Sequence, residues 1–332
     1  MTFSFIETIT DQLDKVQLGE QKAPTLWPSA ATAITSEGNP LGKCRRQAFY
    51  RYVTDSYNFS EKYDHYKDLV NSINEFKQPV SKYLKWIWRA GELYEDYCVN
   101  LAKEAGVFVA TQVSIYIPKV NVSGKIDLVV VNPETNKYQI VEVKSVYGFN
   151  ANSVMGTDSQ RKKGILGQPR DSHLMQLGIY QWWYGNPNDF DPGILVYGAR
   201  DTGKYAEYLV TVEHVEELGE DFIFYQGNAP CLTEKVNSGI SMQSIMRNYK
   251  STLDALESGS IPERDYYLSY TEEMIDAMYE AGELNKTDTA QYEKRKKQIE
   301  EGKTRIVKAV EKGDWQCRLC EYQTHCYKED NE

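Results

Sequence analysis

The stretch from Gln112 to Tyr147, QVSIYIPKVNVSGKIDLVVVNPETNKYQIVEVKSVY, constrains this 332-residue chain more than any other. It carries Gly124-Lys125-Ile126-Asp127, then the apolar run Leu128 to Val131, the turn signal Asn132-Pro133-Glu134-Thr135-Asn136, and Tyr138 to Lys144. β-Branched residues on both sides of a Pro/Asn-rich break predict two neighbouring strands joined as a hairpin. Period-two alternation in the second strand places Ile140, Glu142 and Lys144 on one face and Val141 and Val143 on the other. Asp127 sits at the end of the run that pairs with it. Two carboxylates held close repel unless a proton or a cation lies between them. Mg²⁺ or Mn²⁺ suits such a place, because it takes one or two carboxylates together with water and substrate phosphate. Lys144 then lies beside a metal-bound water and a phosphate. Charged pairs on antiparallel strands are also ordinary surface features. These three residues alone therefore leave open a solvated Glu/Lys pair with Asp127 at a turn.

The length allows one large domain with insertions, or two. At 41% hydrophobic and 26% charged the chain has the make-up of a folded soluble protein. No run approaches the roughly 20 apolar residues of a membrane span. The start, MTFSFIETITDQLDK, lacks the basic and apolar parts of a signal peptide, so a cytoplasmic protein with no membrane partner is expected. A net charge of −10 argues mildly against a general polyanion binder. A metal masks an acidic site, however, and local basic patches still guide a nucleic acid. Two patches exist: Lys43, Arg45, Arg46 and Arg51, and Arg161, Lys162, Lys163 and Arg170. Either one alone is more simply a solvated face.

In chain order, an amphipathic helix and a Pro/Ala/Thr/Ser-rich connector fill residues 1–40. A basic-aromatic helix follows from Leu41, and residues 61–90 are helical with a break near Pro79. In ELYEDYCVNLAKEAG, Leu93, Tyr97 and Leu101 form an apolar stripe, with Glu92, Glu95 and Asp96 on the other flank. Cys98 reads as a small core residue and Gly106 as a C-cap. Gly148 to Gly167 is polar, Gly-rich and basic, which predicts a mobile loop beside the site. HLMQLGIYQWWYG is a helix with Gln176 and Tyr180 on one face. Strands Gly193–Tyr197 and Tyr205–Val212 close a mixed core. Residues 213–312 predict three or four helices laid against it, with YEKRKKQIEEGKTR as an exposed one.

Cys317-x₂-Cys320-x₅-Cys326 is the strongest local signal in the tail, residues 313–332. A C-x₂-C pair lets two thiolates reach one metal or cluster, and the third cysteine adds a corner. Cys44 is the best fourth ligand, and His325 would need a sharp reversal. Zinc and a [4Fe–4S] cluster both accept such a set.

Together these motifs resemble the RecB-type nucleases of the PD-(D/E)XK superfamily, in the iron–sulfur group with CRISPR-associated RecB-like exonucleases, phage relatives and the AddB nuclease domain. Gly124-x-x-Asp127 is similar to that group's G-x-x-D metal motif, and Glu142-Val143-Lys144 to its E-x-K. Gln176-Leu177-Gly178-Ile179-Tyr180 is similar to its Q-x₃-Y, and Cys44 with the three tail cysteines to its split cluster. One position departs: where the group commonly has G-x₃-H, Gly91 is followed four residues later by Glu95. The aligned residues cover roughly half the chain.

The resemblance implies a restriction-endonuclease-like α/β core over residues 41–212, with a central mixed sheet flanked by helices, a helical region and a cluster-binding tail. It implies Mg²⁺ or Mn²⁺ held by Asp127, Glu142, the Val143 carbonyl and Glu95, with Lys144 acting on the attacking water. Gln176 and Tyr180 would hold the DNA backbone or buttress the site. Cys44, Cys317, Cys320 and Cys326 would hold the [4Fe–4S] cluster, in preference to zinc, as a structural staple. Arg45, Arg46, Lys162 and Lys163 would touch DNA phosphates. The implied activity is exonucleolytic, on single-stranded or frayed DNA ends in recombination, repair or phage DNA processing, in a phage case within the host cytoplasm. A recombination or replication protein is the implied partner. The competing reading is a non-catalytic DNA-binding or scaffold subunit that keeps the fold and cluster. A restriction-type endonuclease is disfavoured by Q-x₃-Y and the cysteines.

Overall fold

The computed structural model describes residues 23–328 except 78, 80 and 229–232, so the expected N-terminal helix and Cys231 lie outside the described residues. The connector before residue 40 is not merely a linker. Strands β1 (Thr32–Ile34) and β2 (Pro40–Gly42) pair antiparallel, and Ala31 and Ala33 are buried in the main core. Small residues give no periodic signal, so composition alone reads as a linker. Helix α1 (Arg45–Phe59) follows, with Cys44 at its N-cap. Helix α2 (Lys67–Phe76) and the long α3 (Lys82–Glu104) flank the break at Pro79. Gly106, at φ +73, ends α3 as expected, because only glycine takes that left-handed position without strain.

Seven strands make the central sheet: β3 (Phe108–Ile117), β4 (Val122–Val131), β5 (Tyr138–Val146), β6 (Gly193–Ala199), β7 (Tyr205–Val215), β8 (Glu220–Gly227) and β9 (Val236–Ser241). They lie in that order, antiparallel except for the parallel β5–β6 pair. The β4–β5 hairpin pairs Val131 with Tyr138 and runs to Leu128 with Val141. Its turn is closed by Asn136, which accepts a left-handed φ of 57°. A parallel pair needs a crossover. Here the crossover holds α4 (Gly148–Met155), α5 (Asp158–Arg161) and α6 (Asp171–Tyr184).

The segment expected as a mobile loop is thus mostly two short helices. Ala151, Val154 and Met155 are buried, and Thr157 and Gln160 form a reciprocal cap on α5. Helices this short carry too few apolar positions to show a period. Helix α6 is buried nearly all round, from Leu174 to Gln181, and crosses one face of the sheet. Gly178 lets it approach closely, since a Cβ there would sit 2.5 Å from Ile223 Cδ1.

Helix α3 covers the other face, against Leu128, Val130, Val141 and Val143. The stripe expected to do this faces solvent instead: Leu93, Tyr97 and Leu101 are 55%, 57% and 44% exposed. Tyr94, Cys98, Val99 and Ala102 make the contact. Both stripes have helical spacing, and the one with a thiol and a methyl permits the closer approach. Cys98 is a small packing residue, as expected.

Beyond residue 213 two strands precede any helix, so the expectation of helices alone there is corrected. Strands β8 and β9 extend the sheet, and α7 (Met242–Ser258) returns to the main core through Ile245, Tyr249 and Leu256. Helices α8 (Glu272–Glu280) and α9 (Lys286–Glu300) share a separate small core of Ile275, Leu284 and Val310. Helix α9, which contains YEKRKKQ, buries no residue. The tail forms two single turns, α10 (Trp315–Arg318) and α11 (Gln323–Cys326). Among the described residues no helix is long and apolar enough to cross a membrane.

Candidate active site and cysteine pocket

The β4–β5 ladder stops where the acidic residues begin. Past Leu128 and Val141 the strands part, and the Asp127 carboxylate accepts the Val143 N–H at 2.9 Å. The N–H and C=O of one residue leave a strand from the same edge, so the Val143 carbonyl is turned toward Asp127 as well. Glu142 is completely buried. Its Oε1 accepts from Lys144 Nζ, and among the described residues its Oε2 has no hydrogen-bond partner. A buried carboxylate oxygen without a partner is costly. Burial pushes Glu142 up to about 8, and Asp127 adds to the rise while Lys144 opposes it. Asp127 is likewise raised by burial, against the pull of Lys144 and the Val143 N–H. For Lys144 the surrounding carboxylates outweigh burial and hold the ammonium charged.

Glu95 reaches this group from α3. Burial and the Asp127 charge push it up to about 7. Its orientation comes from Gln112, whose side-chain amide donates to Glu95 Oε1. Gln112 is one of three non-glycine residues with positive φ among the described residues, at 52°, and its neighbour Thr111 donates to the Asp127 carbonyl at 2.7 Å. A strained backbone held at an acidic cluster is the kind found where geometry is enforced for function. Gln112 was not legible as a site residue, because nothing in a strand pattern marks a left-handed residue.

Gln176 and Tyr180 stand behind the strand. The Tyr180 hydroxyl donates to the Lys125 carbonyl at 2.9 Å, and the Gln176 amide meets that hydroxyl at 3.3 Å. Tyr180 is 1% exposed, which makes it a buttress of β4 and removes it from contact with a bound strand. The glycine of Gly124-x-x-Asp127 is needed for this packing, since a Cβ there would lie 3.1 Å from the Tyr180 hydroxyl and 2.9 Å from Pro28. Tyr180→Phe is therefore expected to cost about 1 kcal/mol in stability, read by denaturant unfolding, with little effect on chemistry. A larger effect is expected at Gly198, where a Cβ would come within 1.9 Å of the Tyr94 ring. Gly198→Ala should push α3 off the sheet at a cost of about 1–3 kcal/mol. It should also weaken divalent-metal binding by titration calorimetry, because Tyr94 precedes Glu95.

The donor set suits a hard divalent ion: carboxylates from two strands and one helix, a main-chain carbonyl, and an orphaned buried oxygen. As placed, no three His, Cys, Asp or Glu side chains among the described residues are close enough together to hold a metal.

At the far side of α1, a second pocket is lined by Cys44, Cys317, Cys320 and Cys326 with Arg46, Tyr50, Arg264 and Tyr327. His325 is turned away, at 3.1 Å from Ser72 Oγ through Nδ1, so Cys44 is the fourth sulfur of the pocket. Burial, and then the neighbouring thiols, push Cys317 up to about 11 and Cys320 up to about 12. Thiols in such a place keep their protons unless a metal displaces them. Arg264 Nε and Arg46 Nη1 donate to Cys326 Sγ at 3.4 and 3.8 Å, the kind of outer-shell bond that steadies a sulfur ligand. Both zinc and an iron–sulfur cluster suit this donor set.

Arg45 and Arg46 were expected at DNA phosphates. Arg45 instead forms a two-point ion pair with Asp265, whose side chain is 1% exposed, and Arg46 Nε donates to the Pro262 carbonyl at 2.6 Å. The Arg46 guanidinium is built into the wall around the cysteines, and that of Arg45 is held by Asp265. Lys162 and Lys163 are exposed at the end of α5, which is tied to the β6–β7 turn by the Lys204–Asp158 ion pair.

Comparison of the chain with protein-family models, with curated proteins and with solved structures gave no match.

Proposed function

We propose that the protein is a metal-dependent deoxyribonuclease with a restriction-endonuclease-like core of the RecB type, acting on single-stranded or frayed DNA ends. The observation that carries this reading is Glu142: a fully buried carboxylate with one oxygen unpartnered, beside Asp127 and paired to Lys144 two residues along the same strand. A structural ion pair has no need of a second and third acid around it, and those acids raise its cost.

Asp127, Glu142, Glu95 and the Val143 carbonyl would hold Mg²⁺ or Mn²⁺. When bound, the ion lowers the pKa of its water and offsets charge on the phosphate. Lys144 keeps its charge next to these acids, so it can orient the water and stabilise the anion that develops. Gln112 aims Glu95, and Tyr180 with Gln176 fixes the level of β4 on which Asp127 stands. The cysteine pocket joins the tail to the start of α1 and would be closed by a [4Fe–4S] cluster, with zinc as the lesser choice.

The test is incubation of end-labelled single-stranded DNA with the protein in Mg²⁺ or Mn²⁺. Loss of label that EDTA stops is the expected result, and intact DNA under all divalent conditions would reject it. Visible absorbance and iron content in protein purified without air separate iron–sulfur from colourless zinc.

A further inference from the structure

Next to Lys144 lies a group of side chains that the metal site does not use. Tyr197 on β6 is the register partner of Lys144 on β5, and it is fully buried. Its hydroxyl accepts the Arg170 backbone N–H at 3.0 Å and meets His173 Nδ1 at 2.9 Å. Burial pushes the phenol far above its ordinary range, so it keeps its proton. Among the described residues His173 Nδ1 is the one acceptor that proton meets. The imidazole is then neutral, with its own proton on Nε2. Burial and the charges of Lys144, Arg170 and Lys43 all oppose its protonation.

Lys43, which follows β2, is near enough for its charge to act on His173. The preceding Gly42 is pressed against α6, where a Cβ would lie 2.4 Å from Met175 Cε. Among the described residues neither the Lys43 nor the Arg170 side chain has a hydrogen bond or an ion pair, whereas Arg45 and Arg46 are fully engaged. Asp171, the first residue of α6, is the acidic neighbour of Tyr197. Lys43 and Arg170 both act on His173, and with its N–H and the start of a long helix they leave this place suited to an anion.

We propose, resting on the nuclease reading for its place beside the reacting bond, that Lys43, Arg170 and His173 Nε2–H hold a substrate phosphate other than the one cleaved. Held there, the strand has its register fixed so that the adjoining phosphodiester lies over Lys144 and the acids. His173 is a positioning residue whose neutral state lets it donate without changing charge. The anion is a terminal phosphate or an internal phosphodiester, which share this chemistry.

The test is binding of fluorescent single-stranded oligonucleotides in EDTA, by anisotropy over a range of salt, with wild type and with K43Q, R170Q and the double variant. Each charge removed is expected to weaken binding about tenfold and to flatten the log–log salt dependence by about 0.7. His173→Gln, which keeps both an acceptor and a donor, should bind near wild type, and His173→Phe should not. Melting temperatures matching wild type for K43Q and R170Q show that folding is intact. Loss confined to end-phosphorylated strands identifies a terminal phosphate, and equal loss on a circular strand identifies an internal one; both uphold the site. Unchanged affinity and salt dependence in the double variant overturn it. Wild-type cleavage is scored separately. No divalent-dependent cleavage together with the binding loss would reject the nuclease reading and leave the anion site standing.

Discussion

Glu142→Gln is expected to abolish divalent-metal-dependent cleavage of single-stranded DNA, by about three orders of magnitude or more, and to leave the metal-free fold more stable. The loss follows from the several kcal/mol that a bound ion contributes to the charged transition state, and Asp127→Asn should match it. The gain in stability follows from burial. The ordinary value for the Glu142 carboxyl is 4.5, and in the folded chain it is pushed up to about 8. Between those values the folded protein binds a proton that the unfolded chain does not, so stability falls as pH rises through this window. Glu95, pushed up to about 7, acts in the same direction. Thermal melts in EDTA should therefore drop from pH 5 to pH 8 in wild type and much less in Glu142→Gln. Mg²⁺ or Mn²⁺ at about a hundredfold excess over its Kd should return about 2.7 kcal/mol at the upper end of that range. A flat wild-type profile, or equal metal stabilisation of both proteins, would reject the placement of a metal at Glu142.

The second large effect is expected at the cysteines. Cys320→Ser should yield colourless protein with a lower melting temperature and a tail open to protease. A link between Cys44 and Cys317 closes a loop of well over a hundred residues, and in the chain-entropy model such a closure is worth about 5 kcal/mol. The tail keeps some hold without it. Asp314 bonds the Tyr267 N–H at 2.7 Å and the Tyr270 hydroxyl at 2.6 Å, and Tyr327 accepts the Leu268 N–H at 2.8 Å. The core sheet should then survive, with proteolysis confined to the segment after α7. A variant as stable and as coloured as wild type would remove the metal or cluster from the pocket. Zinc content alone in the wild type would keep the staple and correct its identity.

The hairpin was legible because its signals are local. Val and Ile runs either side of Asn132-Pro133 specify strands and turn, and a period of two puts Glu142 and Lys144 on one face without reference to the rest of the chain. The i,i+4 spacing of Gln176 and Tyr180 and the crowding of the tail cysteines are local in the same sense. The β8–β9 pair was not legible. Glu220 to Ser241 mixes Glu, Tyr, Asn and Gly in a way that favours no period, and it is paired into the sheet from one side by β7. The packing side of α3 was misread for a related reason. Leu93, Tyr97 and Leu101 form as good a stripe as Tyr94, Cys98 and Ala102, and the choice between them depends on Gly198, a hundred residues away, leaving room for the Tyr94 ring.

The sequence by itself determined which groups could do chemistry: acids and a lysine on paired strands, three crowded tail thiols with Cys44 far upstream, and an amide and a phenol one helical turn apart. Only the tertiary structure decided how those groups are used. It parted the strands at Asp127, turned Tyr180 inward, spent Arg45 on Asp265 and Arg46 on the cysteine pocket, and, among the described residues, left one oxygen of Glu142 and the Lys43 and Arg170 side chains without bonded partners. The reason is physical. Residue type fixes what a side chain can donate or accept, but its charge state and its partners depend on burial and on neighbours that lie far away in the chain.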